Sequence, residues 1–397
     1  MDVDVGTTQS SRQKWLQGVA AEPFRWFFPW GVLVSMVGVL VWPLHLWNIL
    51  GPYPGPAHMP LMVDGFFGAF IVGFAGTAGP RLLGVAPFSR VFTGCLAALH
   101  AAMAAAFVVG EVALGNGLFL LLLVIFAAKL IQGIQRRTDA PPPGIVLVGF
   151  GLVCGSMGAL MSVGSYQREV GSIWSSLQRS LSYQAFPLFP ILGVAPFLVP
   201  RFFGVPSSHE FPESGRLAPP GWWQKAFWGL GVGLALVVTF VLESMGWVRF
   251  GNLLKTLVVA AHLWRELPLH RFEASGNRSG RFLQAAFALV LLGFLGVAAF
   301  PLYRIAMLHF ALMGGFVLVT LIVGMRVVLG HNDALEHWQS TRFRRWWTVA
   351  LAMILLGMWT RISGDFWPKI QRTHYSYGAL LWILGTATWA WNLWRTR

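Results

Sequence analysis

Twelve long apolar runs follow one another along this chain, each of about 20 residues and separated by short polar links. A run of that length and apolarity matches the thickness of a bilayer. Inside a bilayer, only a helix or a closed barrel satisfies its own backbone. Composition agrees: 56% of the 397 residues are hydrophobic and 11% are charged, against about 25% charged in an ordinary soluble domain. A soluble enzyme, a disordered chain and a disulfide scaffold are all excluded. The sequence therefore predicts an all-α polytopic integral membrane protein, a bundle of about 12 transmembrane helices.

The expected spans are about 28–50, 59–79, 91–111, 117–134, 145–165, 185–203, 226–246, 250–267, 282–302, 305–329, 346–363 and 375–394. Residues 1–25 form a polar N-terminal segment without the apolar core of a signal peptide, and 26–397 form one transmembrane domain. The sixth span carries Pro187, Pro190, Pro196 and Pro200. Such a helix must kink or break, and neighbouring protein must satisfy its freed carbonyls. The longest polar stretches, about 134–144, 166–184 and 205–222, are too short to be domains.

Charge sets the expected orientation. The chain has 29 Lys and Arg. Eight of them (Arg168, Arg179, Arg249, Lys255, Arg304, Arg361, Lys369 and Arg372) fall on one side of the twelve-span topology, and the rest fall on the side that holds both termini. The N and C termini are thus expected in the cytoplasm. The net charge of +14 sits in loops, which points to lipid headgroups of the bilayer and away from nucleic acid. Cys95 and Cys154 both lie in apolar runs and make no paired motif. No nucleotide fingerprint, P-loop or nucleophile elbow is present.

Histidines carry the functional signal. An imidazole inside a bilayer is expensive without a partner. Of ten histidines, His209, His270 and His337 fall in polar loops, and seven lie in or at the ends of spans. The second span opens with His58-Met59-Pro60-Leu61-Met62, and the tenth contains His309-Phe310-Ala311-Leu312-Met313. Both read H-x-x-L-M, on helices that run the same way and at similar depth. His45 and His374 fall on the same, external side. Two facing imidazoles fit the axial positions of a haem iron. A third or fourth, with Met59, Met62, Met307 or Met313, fits copper, because thioether suits Cu(I) and imidazole suits copper generally. Against this stands the plainer reading, in which interfacial histidines bind headgroups and methionines only pack.

Neighbouring residues extend the candidate site. The second span is rich in glycine, which admits close approach of helices or of a flat macrocycle. Asp64 is its only acid, placed to support a ligand imidazole or to face external water. Arg304, Arg361 and Arg372 lie near the external side and suit carboxylates such as haem propionates. On the inner side, His262 and His331 end their helices, while His100 sits among alanines in need of an unnamed partner.

These residues resemble the NnrS family of bacterial membrane proteins. The resemblance starts at Pro23-Phe24-Arg25-Trp26-Phe27-Phe28. It continues through Met62, Gly65-Phe66, Gly73-Phe74 and Thr77-Ala78. It is closest from Leu308-His309-Phe310-Ala311 through Gly324-Met325-Arg326 to Leu329-Gly330-His331, and it includes Arg361 and Ala379-Leu380-Leu381-Trp382. It implies about twelve helices in the bacterial inner membrane, haem b and copper as cofactors, and a role in nitric oxide metabolism or protection against nitrosative stress. The implied partners are nitric oxide and an unidentified electron donor. His309, His58, His374, Arg304 and Arg361 would hold the haem. His58, His309, His374, His45, Met62 and Met313 would serve as metal ligands. The family's second helix opens H-x-H-E-M; here Pro60 and Leu61 replace the second His and the Glu. The competing readings are a cofactor-free secondary transporter, suggested by intramembrane Lys255 and Glu243, and an accessory factor for metalloenzyme maturation.

Overall fold

The computed structural model describes residues 22–51, 53–165, 169–206, 215–271, 278–336 and 340–395. His209 and His337, and most of the polar N-terminal segment, lie outside the described residues. Among the described residues there are twelve long helical elements. They are α1 (Phe24–Leu46), α2 (Gly55–Leu82), α3 (Arg90–Val108), α4 (Val112–Arg136), α5 (Ile145–Gly164), α6 (Ser172–Phe203), α7 (Trp222–Ser244), α8 (Val248–Glu266), α9 (Arg278–Ala299), α10 (Pro301–His331), α11 (Thr341–Phe366) and α12 (Gln371–Trp394). Ten of these are long and apolar enough to cross a membrane. The other two, α8 and α12, are long enough but more polar.

The expected spans fall on these helices with one substantial correction. The sixth helix begins at Ser172, well before 185, so much of the polar stretch 166–184 is helical. Ile173, Trp174 and Leu177 give its first turns an apolar stripe, and these turns pack on α5 and α7. The prolines break α6 into pieces as expected: it passes from α-helix to a π-helical segment at Leu181–Ala185, back to α-helix, and ends in a 3₁₀ segment at Val199–Phe203.

Every fourth helix is central. The helices α2, α6 and α10 touch one another, and the other nine surround them. Over their apolar stretches 72%, 61% and 67% of residues are buried, against 22–44% in the other seven apolar helices. Lipid-facing helices have no need for a buried face all round, whereas an encircled helix does. The same three helices each contain a π-helical segment, at Leu61–Phe67, Leu181–Ala185 and Phe310–Val317. The outer helices pack closely where glycines allow. A Cβ on Gly357 of α11 would come within 3.1 Å of the Gly378 carbonyl oxygen on α12. Ser89 and Ser340 cap α3 and α11, their hydroxyls accepting from the N–H groups of Phe92 and Phe343. Gly246, at φ +95°, makes the tight turn between α7 and α8.

Candidate functional site

The two H-x-x-L-M segments fold alike. His58 lies in the short α-helical start of α2, and the π-helical segment follows at Leu61. His309 ends the α-helical start of α10, and the π-helical segment follows at Phe310. A π turn carries an extra residue and recurs at functional sites. Pro60, with no N–H to donate, removes a rung of the ladder beside the α2 segment. On α6 no histidine stands near the π-helical segment; Gln178 lies one turn before it.

Between α1, α2, α10, α11 and α12 lies a cleft of about 80 Å³. His58, Met62, His309, Met313, Arg361 and Tyr375 are among its walls, with Trp42 and Trp382. The Nδ1 of His58 is 2.7 Å from the Gly38 carbonyl oxygen, and the Nδ1 of His309 is 2.7 Å from the Ile305 carbonyl oxygen. A carbonyl only accepts, so each Nδ1 carries the proton and each Nε2 keeps its lone pair. Neither Nε2 has a hydrogen-bond partner among the described residues. This is the arrangement of a metal-binding imidazole: one nitrogen fixed by an outer partner, the other free.

Arg361 reaches the cleft already paired. Its Nη1 is 2.7 Å from Asp365 Oδ1, and its guanidinium stacks 3.9 Å above the Tyr375 ring. Tyr375 donates its own hydroxyl to Asp365. Trp42 stands edge-on to both His58 and Tyr375. Sequence reasoning did not single out Trp42, Tyr375 or Asp365. The four-residue spacing of Arg361 and Asp365 was the available signal for the pair, while nothing local marks Trp42.

The other candidates lie elsewhere. His374 is not a wall of the cleft; its Nδ1 is 2.7 Å from Ser363 Oγ. His45 stands edge-on to Tyr53, outside the cleft. Met59 is exposed, and Met307 is buried against Gly296. Arg304 pairs with Glu243, Nη2 to Oε1 at 2.9 Å, and does not line the cleft. Arg372 stacks over Trp47. Asp64 is buried with neither carboxylate oxygen hydrogen-bonded, so it supports no ligand imidazole and meets no external water. Among the described residues no group of three or more His, Cys, Asp or Glu is placed to hold a metal. A metal in the cleft would therefore draw on thioethers as well as the two imidazoles.

Glu243 belongs to a second buried polar cluster. Lys255 Nζ lies 2.7 Å from Glu243 Oε2, 3.1 Å from Gln184 Oε1 and 3.2 Å from Asn252 Oδ1. Its three protons thus have three acceptors, and the rings of Phe240 and Phe294 flank it. Both Lys255 and Glu243 are fully enclosed.

The remaining intrahelical histidines are engaged differently. Trp30 Nε1 donates to His100 Nδ1 at 2.9 Å, which supplies the partner the sequence left open. His262 Nε2 lies 3.2 Å from the Leu192 carbonyl oxygen. His331 fixes Nδ1 on the Val327 carbonyl oxygen and accepts from Arg81 at Nε2, within a knot that includes Glu22, Arg25 and Asn332. Among the described histidines, only His58 and His309 line the cleft, each with Nδ1 fixed on a backbone carbonyl.

No protein of curated function matches the chain. The family model described as NnrS protein matches residues 18–396, from before α1 to the last residue but one. The chain therefore belongs to the NnrS family.

Proposed function

We propose that this chain is a membrane metalloprotein of the nitric oxide response, with a metal centre held by Nε2 of His58 and Nε2 of His309. The family is linked to nitric oxide responses. The observation that carries the reading is the shared cleft, whose walls include two imidazoles fixed through Nδ1 and two thioether residues, Met62 and Met313. Imidazole with thioether is a copper donor set, favouring Cu(I). The space agrees. An apolar cavity of ~150 Å³ admits one benzene ring, and about 80 Å³ suits an ion. The histidines orient and bind; the Arg361–Asp365–Tyr375 group holds one wall; Trp42, Trp382 and Phe67 exclude water. Copper held there by His58 and His309 would supply a one-electron couple.

Haem b is the second reading. Its support is the pair of imidazoles lining one cleft with a wall arginine, Arg361, able to meet a propionate. No step is assigned to it. In either case the protein belongs in the bacterial inner membrane, with both termini cytoplasmic and a separate electron donor.

The test is to purify the protein in detergent and count copper and iron per chain. Spectra are recorded oxidised, reduced, and reduced with nitric oxide. Copper near one per chain, lost in His58→Ala and His309→Ala, is the expected result. A Soret band would transfer the site to haem. Full metal content in both variants would remove the ligand assignment.

A further inference from the structure

Beneath the cleft lies a second, larger cavity of about 160 Å³. It is bounded by α1, α2, α4, α5, α6 and α10, and its walls include Phe70, Ala75, Leu130, Pro187, Pro190 and Val323. Among the described residues, Thr320 is its only wall residue with a polar side chain. The prolines of α6 form part of that wall, and a proline offers no N–H to a ligand. A polar headgroup or a quinone ring would find almost no hydrogen-bond partner here, and burying its polar atoms unpaired costs free energy. The volume matches the ~150 Å³ apolar cavity that takes up xenon or benzene.

The cavity and the cleft meet at one residue. Phe67, in the π-helical segment of α2, is a wall of both. It packs edge-on against Phe316 of the α10 π-helical segment, with centroids 6.3 Å apart. Above this pair stand His58 and His309; below it the two helices continue as cavity walls to Leu83 and Gly324.

We propose that the lower cavity binds small uncharged apolar molecules of diatomic size, drawn from the bilayer, and passes them to the cleft past Phe67. Such molecules, nitric oxide and dioxygen among them, need apolar volume and no hydrogen bond. A cavity that ends at the floor of the cleft provides the first and withholds the second. The delivery step rests on the metal reading above; the binding site does not.

The experiment has two arms. Xenon-pressurised crystals of the wild-type protein should show xenon among Ala75, Phe70 and Pro190, and Ala75→Phe should abolish it. Ala78→Leu serves as the milder filler if Ala75→Phe fails to fold. In the second arm, nitric oxide binding to the reduced metal is followed by flash photolysis. Filling the cavity should slow association roughly tenfold with metal content unchanged, while Val124→Phe, on the exposed face of α4, should not. No xenon in the wild type, or an ordered lipid chain in its place, would overturn the site. Xenon bound with association rates unaltered by the fillers would overturn the route. Xenon bound in a protein that carries no metal would remove the cofactor reading and support the apolar site.

Discussion

Two polar groups among the described residues, one enclosed around Lys255 and one half-buried in the cleft, are built on opposite principles. Each of the three Lys255 protons has an acceptor, with Glu243, Gln184 and Asn252 taking one each, and Arg304 forms an ion pair with the other oxygen of Glu243. In the cleft, His58 and His309 each spend one nitrogen on a backbone carbonyl and leave the other free. A charge in a low-dielectric interior is tolerated when it is paired and hydrogen-bonded, so the first group closes on itself. The second group keeps lone pairs unspent in an accessible cleft, and that is what a ligand site requires. The difference separates a cluster that holds α6, α7, α8 and α10 together from one that can take up a ligand between α2 and α10. It also redirects Arg304, which looked like a haem contact in sequence and serves the closed cluster in structure.

The contrast breaks first at Glu243. Glu243→Gln leaves the enclosed Lys255 without its carboxylate, and loss of one partner from a buried ion pair costs about 3–5 kcal/mol. Thermal unfolding in detergent should show that loss, while the copper content of any folded fraction should match that of the wild type. Metal loss with stability intact would mean the two regions are one site.

The next effect falls on binding rather than stability. His309→Ala and His58→Ala should each lower copper affinity by more than the ~10–100-fold that loss of an outer partner produces. The apo proteins should melt close to the wild-type apo protein. Competition with a copper chelator measures the first, and calorimetry the second.

Smaller changes sharpen the donor set. Met62→Leu and Met313→Leu preserve volume, so stability should move by less than about 1.5 kcal/mol. Cu(I) affinity should drop by roughly tenfold, with Cu(II) affected less, because only the soft donor is lost. Equal losses for both oxidation states would place the thioethers outside the coordination sphere. The least effect is expected at His374, whose Nδ1 meets Ser363 outside the cleft. His374→Ala should leave metal content and spectrum unchanged.

Apolar run length made most of the fold legible, since a bilayer allows an apolar run of that length little except a helix. The start of α6 escaped because Ser172–Ser180 is an amphipathic surface helix with few apolar residues, and packing on α5 and α7 decides its state. Among the candidate ligands, the matched H-x-x-L-M segments led to His58, His309, Met62 and Met313, all walls of the one cleft. His45 and His374 share the depth but not the direction, and direction around a helix axis depends on which helix stands beside it.

The sequence alone determined that this chain is a bundle of membrane-length helices, that histidine and methionine recur in step on two of them, and that its family is NnrS. These are properties of spacing and residue type along one dimension. Only the tertiary structure decided that α2, α6 and α10 form the centre and that Arg304 answers Glu243. The same is true of Trp30 facing His100, and of Phe67 standing between a polar cleft and an apolar cavity. Each of these depends on how helices distant in sequence are set side by side and turned about their axes, and local propensity carries no record of that.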